Sequence, residues 1–305
     1  VLIKAMGTVV PSREMSLSSQ LSGTVDWISP KFSPGGQITK GEPLIRLERD
    51  DYELEVRKQE ALIRQLQADL DLEKGKQEVA RKEMEIMKKT MGRTIKDPKL
   101  ALRIPQMEKA MATLRTQQIN LEQAQLNLGR TQITAPFNAF VLNRTIELGS
   151  RITTQTALAK LIGTDSFWVE ATVKVNDIKW IKIPGLNSQS SSRVNVNLPD
   201  GSIITGRVIR LLGELSSKSQ MAQILVKVDD PLGRTMRKGQ MPLLLNSYVS
   251  MNFVGSRLAD VVSIPRKIVK DGNRIWLFEQ NKLMFRTIDP VWEDEKNYYV
   301  SQSVV

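Results

Sequence analysis

The sequence predicts a mainly β, elongated, multidomain chain into which one long α-helical coiled-coil hairpin is inserted. Three observations carry this expectation. Two similar β-rich stretches lie far apart, a heptad-like repeat of apolar residues fills the gap between them, and a succession of short alternating stretches comes after the second. The first stretch, residues 22–47, reads SGTVDWISPKFSPGGQITKGEPLIRL, and the second, residues 135–161, reads APFNAFVLNRTIELGSRITTQTALAKL. Aligned without gaps from Gly35 and Gly149, they share Gly35/Gly149, Ile38/Ile152, Thr39/Thr153, Leu44/Leu158 and Leu47/Leu161. A repeat split in this way requires the ends of the insertion to meet, because each half must cover the apolar face of the other.

Ahead of the first half, residues 1–10 alternate like a strand and are expected to join the later β-barrel. The chain opening inside a strand suggests a mature or trimmed protein whose targeting or anchoring segment preceded Val1. From Asp51 the apolar period lengthens from two to three and a half. Tyr52, Val56, Gln59, Ile63, Leu66, Leu70, Glu73, Gln77, Ala80, Met84, Met87 and Met91 alternate spacings of four and three, and nine of these twelve are apolar, which is the pattern of a coiled-coil seam. Gly75 is the weak point of the run. Gly92 and Asp97-Pro98 break it, with Asp97 as the N-cap of the next helix. A second seam is read at Leu100, Ile104, Met107, Met111, Leu114, Gln118, Leu121, Gln125 and Leu128, and Pro105 should kink that helix or delay its start. Arms of about 40 and 30 residues span roughly 45 to 60 Å.

After the second half-module come short strands at residues 167–173, 193–198, 206–212, 223–228 and 243–254, with turns at Pro184-Gly185 and Pro199-Asp200-Gly201, a spacing that suggests a small barrel. A last β-rich unit, residues 261–305, is read with Asp271-Gly272-Asn273 as a hairpin turn between strands 264–269 and 274–278.

Composition narrows function by subtraction. The 305 residues contain no cysteine and no histidine, which removes disulfides, Cys/His zinc sites and imidazole catalysis together. No GxxxxGK phosphate cradle is present. No run of about 18 apolar residues occurs, so no helix read from the sequence is apolar enough to span a bilayer. The formal charge of +11 would permit an acidic partner. Basic residues are nevertheless interspersed with acidic ones through the helical region and aromatics make up only 5%, so a solvated surface is favoured over nucleic-acid binding.

In this order the motifs resemble the periplasmic adaptor, or membrane fusion, proteins of Gram-negative tripartite efflux and secretion systems, most like the RND-type efflux adaptors. The residues that carry the resemblance are Ser22-Gly23-Thr24-Val25, Gly35-Gly36-Gln37-Ile38-Thr39-Lys40-Gly41, Thr134-Ala135-Pro136-Phe137 leading into Ala139-Phe140-Val141, Trp168-Val169-Glu170-Ala171 and Val262-Ser263-Ile264-Pro265. It implies a lipoyl-like β-sandwich from residues 16–49 and 131–163, an α-hairpin at 50–130, a β-barrel from 1–15 and 164–254, and part of a membrane-proximal β-domain at 255–305. Gly23, Gly35, Gly36, Gly41 and Gly149 would be structural turns of the lipoyl-like module.

The resemblance further implies a non-catalytic periplasmic adaptor associated with the inner membrane through an N-terminal anchor. It would bridge an inner-membrane transporter, of RND type, to an outer-membrane channel, and self-associate into a ring as a hexamer or a trimer of dimers, with no nucleic acid. Docking to the channel falls by position on the hairpin tip, Met91, Gly92, Arg93, Thr94, Ile95 and Lys96. The Arg/Leu/Ser spacing that many drug-efflux members carry there is absent from residues 87–107. Where lipoyl or biotinyl carriers present a modifiable lysine, this chain has Glu48-Arg49-Asp50-Asp51, so no covalent cofactor is expected and an enzyme-complex carrier subunit is disfavoured. Met84, Met87, Met91, Met107 and Met111 raise a copper- or silver-efflux alternative through thioether ligands, against which stands their place on the seam as gap-filling residues.

Overall fold

The computed structural model describes residues 1–91, 97–216, 220–233, 241–270, 273–279 and 282–302, excluding the side chains of Met91 and Glu279. In chain order the elements are β1 (Leu2–Pro11), β2 (Glu14–Ser18), β3 (Gly23–Ile28), β4 (Gln37–Ile38), β5 (Pro43–Leu47), α1 (Asp50–Met91), α2 (Pro98–Ala101) and α3 (Ile104–Arg130). Next come β6 (Gln132–Thr134), β7 (Ala139–Arg144), β8 (Arg151–Ile152), β9 (Ala157–Gly163), β10 (Ser166–Val173), β11 (Arg193–Asn197), β12 (Ile203–Leu215), β13 (Ala222–Asp229) and β14 (Tyr248–Val254). The last are β15 (Val261–Pro265), β16 (Arg274–Glu279), β17 (Lys282–Thr287), β18 (Pro290–Glu293) and β19 (Asn297–Ser301). They fall into two compact units, Glu14–Gly163 and Val1–Arg13 with Thr164–Val305.

In the first unit two four-stranded sheets have the orders β2-β9-β7-β4 and β6-β5-β3-β8. Exchanging each strand for its counterpart in the repeat, β2 with β6, β3 with β7, β4 with β8 and β5 with β9, turns one order into the other. Each sheet therefore draws strands from both halves, and neither half can complete a sheet alone. Ile38, Leu44, Leu47, Ile152, Leu158 and Leu161 lie in one buried cluster with Val25, Phe32 and Val141. Each such aliphatic side chain contributes about 1.5–3 kcal/mol on leaving water. The ends of the insertion meet where β5 pairs with β6: Arg46 is opposite Gln132, and the Leu47 N–H donates to the Thr131 carbonyl at 2.9 Å.

Helix α1 runs unbroken through Gly75, with Asp50, Asp51 and Glu53 in its first turn and Lys88 and Lys89 in its last, the charge order that suits the helix dipole. Asp97 caps α2, accepting from the Lys99 and Leu100 N–H groups at 3.1 and 3.3 Å. Pro105 delays α3: Arg103 takes a left-handed conformation (φ 54°) and the helix begins at Ile104 with the proline in its first turn.

The seam of α1 is as the spacing predicts up to Met84, which is buried with Leu70, while Met87 is 42% exposed. In α3 the predicted seam is half right. Met107 and Leu114 are buried and Leu121 and Leu128 partly so, but the intervening inward positions are Ala110, Gln117 and Ala124, each one residue before the predicted Met111, Gln118 and Gln125. Small alanines at the contact let the helices approach closely, and Met111 turns outward at 50% exposure.

In the second unit a closed barrel has the order β1-β10-β13-β12-β11-β14, all neighbours antiparallel. Phe167, Val169, Ala171 and Val173 of β10 fill it alongside Val194, Val196, Val226, Val228, Met251 and Phe253. One sequence expectation fails here: residues 243–247 are not strand, since Asn246 takes φ 61° ahead of β14. A 3-10 turn, Val175–Trp180, follows β10.

The C-terminal pairing also differs from expectation. β15 ends at Pro265 in a 3-10 turn, Arg266–Ile268, and pairs with β19 in a sheet ordered β15-β19-β18, while β16 pairs with β17. The expected hairpin is replaced by a single bridge between Lys270 and Arg274; Asp271 and Gly272 lie outside the described residues. Ile264, Ile275, Ile288 and Val300 form the small core shared by the two sheets.

Candidate functional site

The turn glycines differ in role. Gly35 and Gly149 both take φ near +80°, at 80° and 81°, a conformation that costs a side chain about 1–2 kcal/mol. They make matching bonds across the module: the Gly35 N–H donates to the Val141 carbonyl at 2.8 Å, and the Gly149 N–H to the Val25 carbonyl at 2.9 Å. Gly36 is fixed by space, since a Cβ there would meet the Lys31 carbonyl oxygen at 2.0 Å. Gly41 is a positive-φ turn whose N–H reaches the Ala135 carbonyl at 2.8 Å. Gly23 is not a turn: it opens β3 opposite Ile152, and ordinary side-chain space lies over it.

The loop between Gly36 and β5 is pinned by Glu42. Its carboxylate accepts from the Thr39 N–H and hydroxyl, each at 2.9 Å, and meets Lys31 Nζ at 2.8 Å, so its pKa is pulled down to about 2, with the Lys31 contact the largest cause. A depressed carboxylate stabilises the fold fully above its ordinary pKa of 4.5, and this contribution is lost as pH falls through 2. The Glu42→Gln variant should therefore lose less stability than the wild type between pH 4.5 and pH 2 in denaturant titrations. Parallel pH profiles would contradict this role.

The helical pair is held by more than its apolar seam. The three non-apolar positions of the α1 seam each bond across to α3 or its lead-in: Gln59 with Gln117, Glu73 with Arg103 at 2.7 and 3.1 Å, and the Gln77 amide with the Leu102 carbonyl at 3.1 Å. Rising numbers on α1 meet falling numbers on α3, so the pair is antiparallel. Arg103 lowers the pKa of Glu73 and its own is raised in return. Arg103 was not legible as functional from its neighbours; the polar Glu73 in an apolar register was the available signal. Of the tip, Gly92, Arg93, Thr94, Ile95, Lys96 and the Met91 side chain lie outside the described residues.

The outer face of the pair carries a second apolar repeat. Leu72, Val79 and Ile86 recur every seven residues on α1 and are exposed, as are Ala112, Ile119 and Leu126 on α3. Leu72, Gly75, Val79 and Leu100 line an open groove of about 710 Å³ there.

Of the methionines in question, Met84 and Met107 are buried and Met87 and Met111 are exposed, so the four do not present a common surface. Among the described residues no group of three or more Asp/Glu/His/Cys could hold a metal. Where a carrier lysine would stand, Asp50 starts α1.

In the second unit a groove of about 1050 Å³ runs between the barrel and the β18–β19 sheet. One ion pair crosses it, Lys4–Glu295 at 2.7 Å, as does an edge-on Trp180–Trp292 contact, while Arg266–Glu293 at 2.8 Å lies within its C-terminal wall. Burial raises the pKa of Asp177 in its wall, aided by Glu293 and opposed by Lys174 and Lys179.

No family profile matches the chain. It is 22% identical over 231 residues to the nodulation protein NolF of Rhizobium meliloti (strain 1021), covering 76% of this chain and 59% of that one. It is 21% identical over 313 residues to the multidrug resistance protein MdtA of Yersinia enterocolitica serotype O:8 / biotype 1B, covering 98% and 66%. The chain thus spans 59% and 66% of the length of these two curated relatives. Among solved structures it superposes on MacA from Actinobacillus actinomycetemcomitans with a TM-score of 0.65 at 14% identity, covering 98% of this chain and 92% of that one. It superposes on the membrane fusion protein Spr0693 of Streptococcus pneumoniae R6 with a TM-score of 0.56 at 12% identity, covering 85% and 100%. A module completed by two distant halves, with paired helices inserted between them and a six-stranded barrel, is thus a fold shared with MacA and with the membrane fusion protein Spr0693.

Proposed function

We propose that this chain is a non-catalytic periplasmic adaptor of a tripartite efflux or secretion system, bridging an inner-membrane transporter to an outer-membrane channel. The observation that carries the reading is similarity along the chain, 98% of it in both the match to MdtA and the superposition on MacA. The proposed division is a lipoyl-like module at residues 16–49 and 131–163, a coiled-coil hairpin at 50–130, a barrel at 1–15 and 164–254, and a membrane-proximal domain at 255–305. The split module gives the helices a fixed root, because both of their ends leave adjacent strands. The barrel and C-terminal domain would face an RND-type transporter at the inner membrane, and the tip around Arg93 the channel.

Ring assembly, as a hexamer or a trimer of dimers, is part of the same proposal. The exposed seven-residue repeats Leu72/Val79/Ile86 and Ala112/Ile119/Leu126 support it, since a helical pair whose inner seam is already filled has no internal use for a second one.

The test is photocrosslinking in cells of the native host from a probe at Arg93. The expected product joins this chain to an outer-membrane channel protein. Adducts confined to proteins outside the cell envelope would overturn the proposal.

A further inference from the structure

The β16–β17 ribbon is apolar on both faces, and only one of them is used by the fold. On the inner face Ile275 is buried in the C-terminal core and Leu277 packs against it. On the other, the register sets Trp276 opposite Phe285 and Phe278 opposite Leu283. These four side chains are 47%, 58%, 70% and 60% exposed in that order, and the Trp276 and Phe285 rings lie 3.7 Å apart between centroids, forming one continuous surface. A strand with one solvated face alternates apolar with polar residues, so four large apolar side chains on the open face call for an occupant.

The charges around this face indicate which. The Arg274 guanidinium stands 5.9 Å over the Phe285 ring, and Lys267 and Lys270 line, with Ile268, Trp276 and the inner-face Ile275 and Leu277, an open groove of about 580 Å³ that reaches both faces of the ribbon. Across residues 266–287 there are six basic and two acidic residues. Cores of protein–protein contacts are depleted in lysine. Aromatic rings bordered by lysines with long apolar stems are instead what a bilayer interface accepts, the rings at headgroup depth and the ammonium groups against anionic phosphates.

We propose that the outward face of the β16–β17 ribbon is a membrane-contact surface that seats in the headgroup region of an anionic bilayer. The contact would fix the height of the C-terminal sheets on the lipid independently of any lipid or helical anchor. It does not rest on the channel-bridging role, and either can fail without the other.

The test is co-sedimentation of the full chain with vesicles of phosphatidylcholine alone or with about 30 mole per cent phosphatidylglycerol, at low and high salt. The wild type should bind the anionic vesicles at least tenfold better than the neutral ones and lose most of that binding at high salt. Phe278→Ser/Leu283→Ser should reduce binding at least tenfold, with an unchanged circular dichroism spectrum. Should that variant misfold, Lys267→Gln/Lys270→Gln serves in its place, with an expected drop of at least threefold. Equal binding of the folded variants and the wild type would overturn the proposal. So would failure of the wild type to bind anionic vesicles, or self-association that Phe278→Ser/Leu283→Ser abolishes in the absence of lipid binding, which would assign the face to a second copy of this chain.

Discussion

Replacing Gly36 by alanine is expected to destabilise the Glu14–Gly163 unit by about 3 kcal/mol or more, the range of an overpacked position that cannot relax by rotating a side chain. The added Cβ would stand 2.0 Å from the Lys31 carbonyl oxygen and 2.9 Å from that of Ser33, and both obstacles are backbone. Relief requires the loop to move, but its Gly36 carbonyl accepts from the Val141 N–H at 3.0 Å, which ties the first half of the module to the second. Gly35→Ala, one residue earlier, meets nothing within 4 Å and should cost only the 1–2 kcal/mol of its left-handed conformation. Chemical denaturation of the two variants checks the ordering. A Gly36→Ala protein as stable as Gly35→Ala would contradict the geometry of this loop.

The register of α3 supplies the second large effect. Leu114 is buried in the cluster with Leu70 and Met107, so Leu114→Ala should cost about 2–3 kcal/mol, at the lower end of leucine truncations because the contact is a single helix–helix layer. Met111 occupies the seam if apolar spacing alone decides, yet it is half exposed, and Met111→Ala should change stability by no more than about 0.5 kcal/mol. Equal losses at the two positions would restore the register read from spacing. The buried Ala124 gives an independent check, because a larger side chain there must push the helices apart whereas one at Gln125 need not.

These contrasts show what the sequence discloses and why. The α1 seam is legible because nine of its twelve heptad positions are apolar, and it holds up to Met84. In α3 only alternate positions are, since alanine and glutamine carry little apolar signal, and the outward Met111 carries more than the inward Ala110. The shared core of the module could be read from the repeat itself, as Ile38/Ile152 and Leu44/Leu158 recur at equal offset and end up in one cluster. Pairing between distant strands left no local mark. That β15 joins β19, or that β1 closes the barrel between β10 and β14, depends on contacts across the chain. Gly7 is an instance: its absent side chain lets β1 pass the Glu170 carbonyl oxygen, which a Cβ would meet at 2.5 Å, a reason for glycine invisible in its own neighbourhood. Of the candidate surfaces, the tip was placed by position alone. The apolar ribbon of β16–β17 was missed because its two faces read as ordinary strand content until burial distinguishes them.

Everything proposed for the helices depends on two distant segments closing into one module at their root. The chain has no cysteine, so a single engineered pair reports on this directly. Arg46 and Gln132 are antiparallel partners on β5 and β6 with both side chains exposed, and partner Cα atoms in such a ladder stand within the roughly 4.4–6.8 Å that a disulfide spans. Losing the half-exposed Arg46–Asp26 ion pair should cost about 1 kcal/mol at most. Under mild oxidation the Arg46→Cys/Gln132→Cys protein should form an intrachain disulfide nearly quantitatively while folded and little of it when unfolded in denaturant. Free thiols, or disulfides only between chains, in the folded protein would contradict the split module.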